Sequence, residues 1–73
     1  MQFQVLTRKT YHGYDAYLPT LRECETWACT EDEALKNLLE RVAFFLNLPP
    51  GFVHALDVSR KEEGMTVYTL TVR

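Results

Sequence analysis

Hydrophobic and polar residues alternate at the start of the chain: Phe3, Val5 and Thr7 fall on one side of an extended backbone, Gln4, Leu6 and Arg8 on the other. A period of two marks a half-buried strand. The pattern predicts a strand over Phe3 to Thr10 whose Phe3, Val5 and Thr7 face the core, with Leu6 ambiguous. A second strand, Tyr14 to Leu18, is rich in aromatic residues, and His12-Gly13 between the two reads as a hairpin turn. Pro19 donates no ladder hydrogen bond, so pairing should end or bend there. Extended structure resumes over Glu23 to Cys29, where Cys24, Thr26 and Ala28 alternate with Glu25, Trp27 and Cys29. Alternation alone does not say which set points inward. We expect Trp27 to be buried.

Thr30-Glu31-Asp32-Glu33 has the spacing of a capping box, in which the threonine hydroxyl accepts from the Glu33 N–H and Glu33 reaches back to the Thr30 N–H. Thr30 and Glu33 are therefore the expected helix cap. Three acidic residues in the first turn suit the positive end of the helix dipole. From there Leu35, Leu38, Leu39, Val42, Phe45 and Leu46 recur every three or four residues, opposite Lys36, Asn37, Glu40 and Arg41. That is an amphipathic helix, and Pro49-Pro50 should stop it. Ala43 and Phe44 widen the apolar surface beyond the core stripe and are the candidate interface. The last third predicts a strand from Val53 to Ser59, a connection Lys61-Glu62-Glu63-Gly64, and a final strand alternating Thr66, Tyr68, Leu70 and Val72 with Val67, Thr69 and Thr71. The expected fold is α+β: about five strands in order β-β-β-α-β-β, mainly antiparallel, with one helix packed on one face.

A chain of 73 residues can build one core and not two, so residues 1–73 are expected to be a single domain with no separate DNA-binding domain. With 47% hydrophobic residues the chain carries far more apolar surface than a disordered one. Its formal charge of −2 is spread over short basic pairs, Arg8-Lys9 and Arg60-Lys61, and single residues, a poor match to a phosphate backbone. Direct nucleic-acid binding is not expected. No segment has signal-peptide character or the ~20 apolar residues of a membrane span, so the expected compartment is the cytoplasm and no membrane partner is expected.

Chemistry-bearing residues are few. Cys24 and Cys29 project from opposite faces of a regular strand, which argues against a disulfide, and neither His12 nor His54 completes a four-ligand zinc set. Gly13, Gly51 and Gly64 are isolated turn residues, with no phosphate-binding loop or nucleophile elbow. Asp15, Asp57, Glu23 and Glu25 could meet across strands as a metal or acid/base site, Asp15 and Asp57 being the ones a metal-dependent nuclease would use, although exposed strand carboxylates are usually solvated charges. Cys24 or Cys29 with His12 or His54 is a second conceivable pair. We expect no catalytic residue, no metal and no cofactor: a protein-binding module rather than an enzyme. The alternatives are a stand-alone structural or self-associating protein and a degenerate metal-dependent nuclease. A small sheet leaves strand edges open, and with the Ala43-Phe44 flank this favours a homo-oligomer.

The stretch from Tyr14 to Val42 resembles the N-terminal domain of the HicB antitoxin family. The resemblance lies in Tyr14 and Ala16 in a strand, Pro19 and Leu21 after it, Cys24 in a short strand, and Thr30, Glu33, Ala34, Leu35 and Asn37 at the helix start. Where the family usually has Pro-Gly before the cysteine this chain has Arg22-Glu23, and Ala28-Cys29 replaces a glycine and an acidic residue before the threonine. The resemblance implies a partial ribonuclease-H-type sheet and a toxin–antitoxin role: binding a small RNA-cleaving HicA-type toxin and masking its active site. Full-length members commonly add a C-terminal DNA-binding domain.

Overall fold

The computed structural model describes residues 1–49, 51–52 and 54–73. Its elements are β1 (Gln2–Lys9), β2 (Tyr14–Leu18), β3 (Leu21–Ala28), α1 (Glu31–Phe45), β4 (His54–Glu62) and β5 (Met65–Val72). The strands form one antiparallel sheet in the order β3-β2-β1-β5-β4, so the fold is α+β as the patterning requires. β1 is central because it joins two local hairpins: it pairs with β2 on one side and with β5, from the far end of the chain, on the other.

The helix covers half of one face. The backbone of α1 lies over β3 and β2 and beside β1, and its side chains Leu38 and Val42 share one core with Leu70 and Val72 of β5. Its seam with the sheet is built from short side chains, Ala16, Cys24, Ala28 and Ala34, all buried, so the two layers approach closely. Thr26 closes the seam by donating its hydroxyl to the Ala34 carbonyl at 2.9 Å. Leu18, Leu38, Val42, Val5, Leu70 and Val72 complete the core.

The close seam explains why Trp27 is not buried. In β3 the helix-facing set is Cys24, Thr26 and Ala28, while Trp27 lies opposite Asp15 on the outer face and is 49% exposed. An indole on the helix side would hold the layers apart. Trp27 rests instead beside Gly13, its Nε1 donating to the Thr10 hydroxyl at 3.4 Å. β3 also starts earlier than the pattern suggested, at Leu21, because Pro19-Thr20 makes a tight turn that pairs Leu18 with Leu21 at a register shift.

Thr30 caps α1: its side chain accepts from the Glu33 N–H at 3.2 Å. Among the described residues the return bond from Glu33 is absent. Thr30→Ala should cost ~0.5–2 kcal/mol of stability, the value of a lost N-cap acceptor. An unchanged denaturation midpoint would refute the assignment.

The helix is not stopped by the prolines. Asn47 takes a left-handed conformation (φ 55), its N–H bonds the Phe44 carbonyl at 3.3 Å, and the Leu48 N–H bonds the Ala43 carbonyl at 2.8 Å. This is a Schellman stop, with asparagine where glycine is commoner, and it ends the helix at Phe45, before Pro49; Pro50 lies outside the described residues. The early end leaves Phe45 44% exposed and turns Leu46 into the C-cap, so neither belongs to the buried helical stripe. The last hairpin is also tighter than its sequence implies. β4 runs on to Glu62, which pairs with Met65, and the turn is Glu63-Gly64, with Gly64 at φ 72. Val53, the expected first residue of that strand, lies outside the described residues.

Candidate functional site

Because the backbone of α1 lies over β3 and β2 and not over β5 or β4, the described residues of the connection to β4 pack beside its C-terminal half. Leu46, Leu48 and Phe52 fold back against the core there, with Leu39, Leu56 and Tyr68 half-buried around them. What remains is a groove of about 630 Å³ between the helix and the start of β4, with an apolar floor of Leu39, Ala43, Leu48 and Phe52. Lys36, Glu40, Asn47 and His54 form its polar rim. The His54 ring stacks obliquely on Phe52 at 5.1 Å and its Nδ1 lies 3.3 Å from the Phe52 carbonyl.

Phe44 stands on the wall of this groove, 82% exposed. It meets Phe45 edge to face at 5.9 Å. Both expected interface residues, Ala43 and Phe44, therefore line one concave apolar surface. The other lining residues were harder to foresee. Leu39 read as part of the buried stripe, and Leu48 and Phe52 enter only because the Schellman stop turns the chain back across the helix end. The signal was Asn47.

A second polar cluster ties the helix start to the sheet. The Thr7 hydroxyl donates to the Glu31 carboxylate at 2.7 Å, and the Tyr68 phenol is close enough to both groups to feel them. Burial first, and then its bond to Glu31, push that phenol up to about 12. Thr7 is fully buried, so Glu31 satisfies a hydroxyl that water cannot reach. This cluster positions α1.

The expected chemical groups do not converge. Asp15 is paired with Arg8 at 2.9 Å on the outer face, whereas Asp57 lies on β4, three strands away in the sheet order, roughly 14 Å at ordinary strand spacing. Glu25 pairs with Arg22, and Arg22 stacks over the Tyr17 ring at 4.5 Å. Cys24 is buried under α1, and burial pushes its thiol up, away from nucleophilic character. Cys29 is exposed, both thiols are free, and His54 begins the opposite edge strand. Among the described residues no three His, Cys, Asp or Glu side chains are grouped to hold a metal ion, and no helix is long and apolar enough to cross a membrane.

No protein-family model, no curated protein and no solved structure matches this chain.

Proposed function

We propose that this chain is an antitoxin-type binding module that docks a small RNA-cleaving toxin of the HicA kind and masks its active site. The observation that carries the reading is the exposed Phe44 beside a preformed apolar groove with a polar rim. Aromatic anchors in such settings supply most of the energy of protein interfaces. The HicB-like pattern adds support of a different kind: Ala16, Cys24, Ala34 and Leu35 are buried, and Thr30 caps the helix. These residues speak for a shared architecture, while Phe44 and the groove speak for binding. A cytoplasmic location belongs to the same proposal, since a partner that cleaves RNA acts where RNA is translated.

The test pairs the chain with a toxin encoded beside it. Wild-type protein should form a stable complex and protect RNA from cleavage, and Phe44→Ala should weaken binding at least tenfold, as loss of an aromatic anchor does, while leaving the fold intact. Absence of a complex at micromolar concentrations removes the reading. A stand-alone self-associating protein of the same fold is the second reading, favoured by an open sheet edge.

A further inference from the structure

The two strands that end the sheet are guarded differently. β3 lies under the helix, whose Asn37, Glu40 and Arg41 stand beside Thr26 and Trp27, so a strand approaching that edge meets helix side chains first. Covering an edge in this way blocks pairing. β4 has no such cover. α1 does not reach it, every residue from Asp57 to Glu62 is exposed, and Val58, on the helix-side face in register with Tyr68, is 61% exposed.

We propose that β4 is a self-association surface: two copies of this chain pair β4 to β4, antiparallel, across a twofold axis at Val58, joining two sheets into one. Charge decides the register. A twofold axis through the sheet sets one residue opposite its own copy, and centring on Asp57 or Arg60 would oppose like charges, which is destabilising. Val58 is the midpoint of His54–Glu62, so centring there uses the whole strand and brings two exposed valines together. The register shift between Val58 and Arg60 supplies the rest. It puts Asp57, opposite Thr69, and Arg60, opposite Val67, on the same outer face, so Asp57 of each copy meets Arg60 of the other. Arg60 already holds Glu62 at 3.0 Å and would sit between two carboxylates. This inference is independent of the toxin-binding reading, which rests on Phe44.

Cysteine cross-linking tests the register. Opposed residues on antiparallel strands have Cα atoms about 4.5–5.5 Å apart, within the range a disulfide spans. With the exposed Cys29 replaced by serine, V58C should form a covalent dimer under mild oxidation, whereas D57C, offset from its own copy, should not. By light scattering the wild type should have twice the 8.5 kDa monomer mass, D57R should fall to the monomer, and D57R combined with R60D should recover the dimer. A wild-type mass of 8.5 kDa across the micromolar range overturns the proposal, as does a wild-type dimer in which V58C fails to cross-link.

Discussion

Leu38→Ala should lower the unfolding free energy by ~2–5 kcal/mol, with a value in the upper part of that range. Leu38 is fully buried at the centre of the helix–sheet seam. Its loss removes transfer energy and leaves a hole, and the cost of the hole depends on whether neighbours can collapse into it. Here they cannot easily do so. The seam is lined by Ala16, Cys24 and Ala34, side chains too short to reach inward, and the Thr26–Ala34 hydrogen bond holds the layers at their spacing. Chemical denaturation followed by circular dichroism measures the change. A loss below about 1 kcal/mol would place Leu38 at a site far less buried than a core leucine.

Gly13→Ala should destabilise the end of the β1–β2 hairpin. A Cβ at Gly13 would overlap the Ala28 carbonyl oxygen and lie 2.8 Å from Cζ2 of Trp27. The indole is half-exposed and can swing away. The carbonyl cannot, because Ala28 is paired with Tyr14 in the β2–β3 ladder. Relief must come from opening the end of the β1–β2 hairpin, where Thr10 N–H bonds the Gly13 carbonyl at 2.7 Å, at a cost of ~1–3 kcal/mol typical of overpacking. The denaturation midpoint should fall and the Trp27 fluorescence shift with it. Wild-type values for both would show that the hairpin end absorbs the methyl.

The strands and helix were legible because each half-buried element carries its own period. Phe3, Val5 and Thr7 face the helix side, Thr30 caps the helix, and Leu38 and Val42 are buried beneath it. What sequence could not supply was the spacing between layers. Trp27 looks like a core residue until Cys24, Ala28, Ala16 and Ala34 are known to share one seam, a fact about three separate elements. Val67 is buried on the outer face, where it shares a cross-strand row with Leu6 and Arg60; alternation placed it there without revealing that its neighbours shield it. Of the candidate site, Ala43 and Phe44 were legible as surplus apolar width on the helix. The rest of the groove was not, since its walls come from the fold-back after Asn47.

The central position of β1 also bears on the order in which structure can form. Each half of the sheet is assembled from sequence neighbours, β1-β2-β3 with α1 on one side and the β4–β5 hairpin on the other, and the β1–β5 ladder joins them into one sheet. That ladder pairs Gln2 with Thr71 and Phe3 with Leu70, contacts between opposite ends of the chain. Closing a loop of this span is the entropically slow step, so during synthesis the helical half can fold while β1 still presents one unsatisfied side. Until β5 pairs there, that side of β1 is an open ladder, and the β4–β5 hairpin of the same chain competes for it with the strands of any neighbouring chain.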